Sequence, residues 1–229
     1  MNTFHFIIIS QIFSKVNKNK NYLEYQNKFL DFCVKICDNI IHEKIIIWGQ
    51  SILAYNIRKF DFIILDAIQG HLRSPFMDEL MPKITILGDK GLFFIFVSIF
   101  MLFFKQYRNC GISCLTGMMC GVIVGNLIVK NIVRRSRPCW INDKIDMLIE
   151  VPKDYSFPSG HTLAAFIFAT VVLHYDKRIG IPALIIAAAI AFSRMYLYVH
   201  FPTDILFGVV LGILIGCSVV HFLDKYLFT

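Results

Sequence analysis

A histidine next to a carboxylate is the first feature of this sequence that could do chemistry. His200 and Asp204 are four residues apart, so on a helical turn their side chains lie within reach of each other. A carboxylate that holds one imidazole nitrogen fixes the tautomer and leaves the other nitrogen free to act as a nucleophile or a base. Arg194 precedes this pair and adds a cation. A His–Asp pair that only stabilises the fold would show the same pattern.

A second histidine follows a helix-start signal, Pro158-Ser159-Gly160-His161. Proline is favoured in the first turn of a helix. The helix N-terminus presents free N–H groups and the positive end of the dipole, which suits an anion. Gly160 would let that anion approach the backbone, Ser159 adds a hydroxyl donor, and His161 can give or accept a proton. An ordinary helix start would also explain this motif.

A basic segment precedes both histidines. Lys130 and Arg137 are seven residues apart, or about two helical turns, so they lie on one side of a helix that Pro138 ends. A basic anchor at the end of a membrane helix has the same appearance. The formal net charge is +7. This charge belongs to the basic segment and to the N-terminal part of the chain rather than to a broad face, so no nucleic-acid partner is expected.

The elements that position these residues are predicted to be membrane helices. Hydrophobic residues make up 56% of the 229 residues and charged residues only 17%, whereas a soluble domain has about 25% charged residues. This composition excludes disorder and disfavours a soluble globular protein. The seven cysteines show no metal-ligand spacing, and no group of carboxylates suits Mg²⁺ or Ca²⁺. We therefore expect no metal and no cofactor.

Apolar stretches alternate with short polar breaks from residue 84 onward. A helix needs about 17–25 residues to cross the hydrocarbon of a bilayer. The predicted fold class is therefore all-α, a polytopic membrane helix bundle with five spans near 86–104, 110–129, 160–175, 180–199 and 203–223. Two of these spans carry glycine at every fourth position, which would let helices approach closely. These small faces are Gly117, Gly121 and Gly125, and Gly208, Gly212 and Gly216.

The segment before these spans has a different pattern. Residues 60–82 mix apolar and charged side chains at helical spacing, which predicts an amphipathic helix at the membrane interface, broken near Ser74–Pro75. Its apolar side is expected to contain Ile63, Ile64, Ala67, Ile68 and Leu72.

Residues 1–59 form a basic N-terminal arm in this interpretation. A sixth span near 40–58 is left open, although Glu43 and Lys44 count against it. The arm is either an interfacial anchor or an extension of little consequence.

The order of the spans places the three polar clusters together. The second span ends at the basic segment, a loop leads to the start of the third span, and the fourth span returns the chain to His200. All three clusters are thus predicted at one membrane face. Three cations, a helix N-terminus, two histidines and one aspartate are suited to binding a phosphate and attacking it with histidine.

These motifs resemble the type 2 phosphatidic acid phosphatase (PAP2) superfamily. The family signature is Lys, six residues, Arg-Pro; then Pro-Ser-Gly-His; then Ser-Arg, five residues, His, three residues, Asp. Every fixed position is matched in order, and Leu87–Gly91 also looks like the small bacterial members. The resemblance covers residues 60–229, which we take as the phosphatase domain, and not the N-terminal arm.

The resemblance implies a role for each residue of the motifs. His200 would attack the phosphorus and form a phosphohistidine, Asp204 would orient His200, and His161 would protonate the leaving oxygen and then activate water. The phosphate oxygens would be held by Lys130, Arg137, Ser159, Gly160 and Arg194.

The substrate implied by the resemblance is a lipid phosphate that enters from the bilayer. The small bacterial members act on undecaprenyl diphosphate, phosphatidylglycerol phosphate or phosphatidic acid, and the first is preferred here because the chain has no large extra domain. An anion transporter, a lipid-binding protein without activity and a soluble vanadium haloperoxidase are the other readings. The oligomeric state is not predicted.

A bacterial-type plasma membrane is the expected location, with the site facing outward. The turns opposite the site are short and carry Lys105, Arg108, Lys177 and Arg178, and basic turns favour the cytoplasm.

Overall fold

A computed structural model describes residues 52–228 of the chain, and side chains from residue 55. In this range all regular elements are helices and no strand occurs, which confirms the all-α prediction. The α-helices are α1 (Ile52–Leu72), α2 (Pro75–Ile86), α3 (Leu92–Met101), α4 (Arg108–Gly121), α5 (Lys130–Val133), α6 (Pro138–Ile141), α7 (Gly160–Tyr175), α8 (Lys177–Tyr196) and α9 (Pro202–Tyr226). A 3₁₀ turn (Asp89–Gly91) precedes α3, and a π-helical segment (Val122–Val129) joins α4 to α5.

The helical stretches that are long and apolar enough to cross a bilayer are Pro75–Met101, Arg108–Ile141, Lys177–Tyr196 and Pro202–Tyr226 within the described part of the chain. Helix α7 is also apolar but has only 16 residues. All five predicted spans thus correspond to apolar helical stretches, although the first begins at Pro75 rather than near residue 86. The predicted sixth span lies mostly outside the described residues.

The predicted break before the first span is present. Ser74 caps α2 through its side chain, which accepts a hydrogen bond from the Met77 N–H, and Pro75 occupies the first turn. After the break the chain belongs to a candidate span rather than to an interfacial helix. The charged side chains of α2 hid this, because their partners were not evident: Lys83 contacts Glu79, and the Asp78 carboxylate accepts a hydrogen bond from the Tyr196 hydroxyl of α8.

The predicted apolar side of α1 is packed only in part. Ile68 is buried and Ile64 packs against its cluster, whereas Ile63 and Leu72 are exposed. Asp61 and Leu65 of the same helix are also buried, and the prediction did not include them. The boundary drawn at residue 59 falls within α1, and the division of the chain into an arm and a phosphatase domain stays a prediction.

Helix α7 lies between the two glycine faces, which approach it closely, as predicted for small faces. A Cβ on Gly125 of the π-helical segment would overlap the Leu163 Cδ2 atom, and a Cβ on Gly212 of α9 would lie 2.8 Å from the Phe166 Cβ atom. A larger residue at either position would force these neighbours to shift, so the small faces let the second and fifth predicted spans pack closely against α7. The start of α7 is thereby placed near the basic segment and near the start of α9.

Candidate active site

His200 lies in the tight corner between α8 and α9. The corner is closed by backbone hydrogen bonds, including one from the Val199 N–H to the Arg194 carbonyl (3.2 Å). Tyr198 adopts a left-handed conformation (φ 58°), and both Tyr198 and Phe201 are completely buried. These buried rings anchor the corner, so the imidazole between them is held in the protein, where it is 1% exposed.

The His200 ring has a different partner at each nitrogen. Arg137 Nη1 lies 3.0 Å from Nε2, and Asp204 Oδ2 lies 3.6 Å from Nδ1. A guanidinium can only donate, so Nε2 carries the lone pair and the proton of a neutral ring lies on Nδ1, facing the carboxylate. The predicted His–Asp pair is therefore present, although no residue in the described range makes a hydrogen bond to Nδ1.

The ionisation of His200 suits a nucleophile. Burial lowers the pKa of this imidazole well below its ordinary value, and the nearby cations Arg137, Arg194 and Lys130 act in the same direction. The ring is therefore neutral at neutral pH. His161 lies close enough to act on His200 electrostatically, so the two histidines share one site as predicted.

The carboxylate of Asp204 is held by three groups, two of which the sequence did not reveal. Arg135 Nη1 donates to Oδ1 (2.6 Å), the Ser156 hydroxyl donates to Oδ2, and the Phe201 N–H donates to Oδ2 (2.9 Å). Asp204 is completely buried. The bond to Phe201 could have been expected from the position of Asp204 in the first turn of α9, but no local pattern singles out Arg135 from its basic neighbours or links it to a residue 69 positions away.

Lys130 and Arg137 converge, but not on one helix as predicted: α5 ends at Val133, Arg134 is left-handed (φ 47°), and Pro138 begins α6. A carboxylate lies between the two cations. Asp154 Oδ2 is 2.6 Å from Lys130 Nζ, and its Oδ1 is 2.7 Å from Arg137 Nη2. Burial by itself would raise the pKa of Asp154, but the two cations outweigh it and lower the pKa to about 2. An ionised carboxylate thus occupies a position between two cations that would also suit an oxyanion.

Arg194 supplies the third predicted cation. Its side chain is 3% exposed, and Nη1 donates to the Thr85 hydroxyl of α2 (2.7 Å). Its Nε donor has no hydrogen-bond partner among the residues of the described range. Buried donors are nearly always satisfied, so this guanidinium has capacity left for an anion.

The start of α7 contributes the remaining predicted residues. Ser159 caps the helix, and its hydroxyl oxygen accepts from the Thr162 N–H (3.5 Å) and from the Thr162 hydroxyl (3.0 Å). Both are accepted bonds, so the Ser159 hydroxyl proton can still be donated. The Ser159 N–H donates to the Asp204 carbonyl (3.3 Å), which ties the start of α7 to the start of α9.

Glycines surround His161 and the helix start. A Cβ on Gly160 would lie 3.2 Å from Asn126 Oδ1, and a Cβ on Gly88 would lie 2.8 Å from His161 Cδ2. The backbone at Gly88 is therefore packed against the imidazole. The segment Leu87–Gly91, which resembles the small bacterial members of the family, thus borders the histidine.

The arrangement brings together all the residues that the motifs predicted. Three cations and a capped helix start can hold a tetrahedral anion, one neutral imidazole has a lone pair for attack, and a second imidazole can move a proton. Residues 52–228 contain no group of three or more histidine, cysteine or acidic side chains placed to hold a metal ion.

Comparisons with known proteins agree with this geometry. The model of the PAP2 superfamily matches residues 111–227. Undecaprenyl-diphosphatase of Sulfolobus acidocaldarius is 29% identical over 168 residues, which are 73% of this chain and 78% of that protein. Phosphatidylglycerophosphatase B of Bacillus subtilis is 30% identical over 173 residues, 67% of this chain and 79% of that protein.

The fold has a solved counterpart. The crystal structure of a transmembrane PAP2 type phosphatidylglycerolphosphate phosphatase from Bacillus subtilis matches with a TM-score of 0.62 and 27% identity, over 88% of this chain and 96% of that chain. The family match covers half of the chain, and the apolar helices agree with the membrane fold of this relative. The chain therefore belongs to the PAP2 superfamily and is a multi-pass membrane phosphatase.

Proposed function

We propose that this phosphatase removes the terminal phosphate of a membrane lipid by forming a phosphohistidine on His200, without a metal. The observation that carries the proposal is the environment of His200 Nε2. Its lone pair faces Arg137, and Arg137 also shares the Asp154 anion with Lys130. A phosphate in the position of that carboxylate would lie beside the nitrogen that attacks it.

In the first half of the reaction, His200 Nε2 forms a bond to phosphorus while the bond to the lipid oxygen breaks. Arg137 must release Nε2 for this step, and the incoming phosphate oxygens provide the new acceptor. Lys130, Arg137 and Arg194 hold the equatorial oxygens, together with the Ser159 hydroxyl and the Gly160 N–H. These charges act where negative charge develops, which is the main source of catalysis in phosphoryl transfer.

His161 transfers the protons of the reaction, and Asp204 stabilises the intermediate. His161 donates a proton to the leaving oxygen, and in the second half it takes a proton from the water that cleaves the phosphorus–nitrogen bond. Asp204, 3.6 Å from His200 Nδ1, stabilises the positive ring of the phosphohistidine. The products are the shortened lipid and inorganic phosphate.

Undecaprenyl diphosphate is the proposed substrate, and phosphatidylglycerol phosphate or phosphatidic acid is the alternative. The first choice is supported by the relative named undecaprenyl-diphosphatase. The alternative is supported by phosphatidylglycerophosphatase B of Bacillus subtilis and by the crystal structure of a phosphatidylglycerolphosphate phosphatase from the same organism. A transporter or an inactive lipid-binding protein would explain the helices but not the joint placement of nucleophile, proton donor and cations.

We further propose a plasma membrane of bacterial type with the site facing outward. The short turns at the other end of the bundle carry Lys105, Arg108, Lys177 and Arg178, and such turns favour the cytoplasm.

The His200→Ala variant should release no phosphate from any lipid substrate, because the nucleophile is missing. The His161→Ala variant should lose about 10²–10⁴-fold, the usual contribution of general acid–base catalysis. Phosphate release in detergent measures both. His174→Ala is the matched control, since His174 is exposed and pairs with Asp224 at the other end of α7. Substantial activity in a folded His200→Ala protein would contradict the proposal.

Substrate preference is tested with purified protein in mixed micelles. We expect kcat/KM to be highest for undecaprenyl diphosphate and lower for phosphatidylglycerol phosphate and phosphatidic acid. The reverse order would assign the chain to the alternative, and release from none of the three by wild-type protein would contradict a lipid phosphatase.

The Asp154→Asn variant should bind inorganic phosphate more tightly, because it removes the internal anion that competes for Lys130 and Arg137. We expect the inhibition constant of phosphate to fall by roughly tenfold, equivalent to about 1.4 kcal/mol. Glu150→Gln is the control, since it removes an exposed charge from the same loop. Unchanged or weaker phosphate inhibition in Asp154→Asn would show that Asp154 does not occupy the phosphate position.

Sidedness is tested by labelling intact cells with a membrane-impermeant thiol reagent. The Asp143→Cys variant, altered in the loop on the site side, should be labelled from outside, and Lys105→Cys only after permeabilisation. The unaltered chain, with its seven cysteines, measures the background. The opposite labelling pattern would place the site in the cytoplasm.

A further inference from the structure

Helix α1 contributes a buried carboxylate to the region behind the site. Asp61 is completely buried. Its Oδ2 accepts hydrogen bonds from Arg135 Nη2 and from the Thr203 hydroxyl, both at 2.6 Å. Its Oδ1 accepts from the Thr203 N–H at 3.1 Å. Asp61 therefore holds the residue that directly precedes Asp204.

Arg135 connects Asp61 to Asp204. One guanidinium nitrogen lies 2.6 Å from Asp61, and the other lies 2.6 Å from Asp204 Oδ1. The guanidinium also covers the ring of Phe201, with Cζ 4.1 Å from the ring centre. Its side chain is only 13% exposed. The planar, forked shape of arginine suits such a bridge, which lysine cannot reproduce.

The charges of Asp61, Arg135 and Asp204 do not cancel. Two buried carboxylates share one guanidinium, which leaves one net negative charge next to the His200 ring. Burial of charge is costly unless it is compensated. Arg135 and Asp204 alone would be a neutral pair, so Asp61 supplies the excess negative charge. The reaction would provide the compensation, because a phosphorylated imidazole that keeps its Nδ1 proton is positive.

We propose that Asp61 and Arg135 are positioning residues for the reaction: they hold Asp204 toward His200 Nδ1 and give the group a net negative charge that favours the phosphohistidine. This inference rests on the proposed function. Neither residue touches the phosphate position, so both act through Asp204.

The competing explanation is that Asp61 only anchors α1. Other contacts already do so: the Tyr198 hydroxyl donates to Asp66 (2.9 Å), and the Gln69 side chain donates to the Tyr196 carbonyl (2.7 Å). Asp66 belongs to the same helix and is exposed. Asp66→Asn therefore removes the negative charge from an anchoring bond of α1 without changing the charge beside Asp204, and is the matched control.

The pH profile separates the two explanations. The charged and titratable groups around His200 come from several elements. They are Asp204 of α9, Arg194 of α8, His161 of α7, Lys130 of α5 and Arg137 of the segment before α6. Asp61→Asn makes these surroundings more positive, so His200 stays neutral to lower pH and the acid limb of kcat/KM moves to lower pH. Arg135→Gln makes them more negative and moves the limb to higher pH.

The experiment measures kcat, KM and the pH profile of each variant in detergent, with phosphate release from the preferred lipid. In Asp61→Asn and in Arg135→Gln we expect kcat to fall by roughly tenfold or more with KM little changed, as expected when a group acts on the chemical step. The acid limbs should move in opposite directions. The double variant, with the original net charge, should return the limb toward its wild-type position. Asp66→Asn should move neither kcat nor the limb.

Equal effects of Asp61→Asn and Asp66→Asn, or acid limbs that do not move, would overturn the inference and leave Asp61 an anchor. If Asp61→Asn does not fold, the Arg135 variants decide between the two explanations. The inference then requires that the acid limb of Arg135→Gln moves to higher pH and that Arg135→Lys does not restore kcat. The His200→Ala variant distinguishes a failure of the proposed function from a failure of this inference. Activity in His200→Ala refutes the proposed function. An inactive His200→Ala protein together with normal kinetics in Asp61→Asn refutes only this inference.

Discussion

The structure depends on collecting positive charge at one end of an apolar bundle without driving that end apart. Lys130 and Arg137 come from the basic segment and Arg194 from the end of α8, and all three lie near the same imidazole. Like charges repel strongly where water is scarce. The protein compensates by placing Asp154 between two of these cations. Asp154 thus compensates part of the positive charge at rest, and a phosphate can take the place of its carboxylate beside Lys130 and Arg137.

A second set of charges stands behind the nucleophile. Asp204, Arg135 and Asp61 form a continuous row of hydrogen-bonded groups that reaches α1. The first set would hold a negative substrate, and the second would stabilise a ring that becomes positive. His200 lies between them, neutral because burial and the cations suppress its protonation. Its neutrality makes the nitrogen available, and the carboxylates prevent the cations from making phosphorylation unfavourable.

Close packing of helices allows these two sets to meet. Gly125 and Gly212 let their helices approach α7 from different directions, and Gly88 lets a backbone segment pack against His161. Larger residues would separate the elements by distances that matter in a hydrogen-bonded site. The chemistry therefore depends on small residues that make no polar contact with a substrate, as well as on the charged residues of the motifs.

The sequence by itself determined the helical spans, the small faces and every residue of the three motifs, because these depend on residue type and on spacings within one helix or one turn. Their convergence followed from counting membrane crossings. The tertiary structure alone decided which groups pair with the cations. Asp154 is 24 positions from Lys130, Thr85 is 109 from Arg194, and Asp61 is 74 from Arg135, and such pairs leave no local pattern. The burial of Asp61 on α1 has the same physical reason: a buried carboxylate needs hydrogen-bond donors, and only the folded chain brings Arg135 and Thr203 to it.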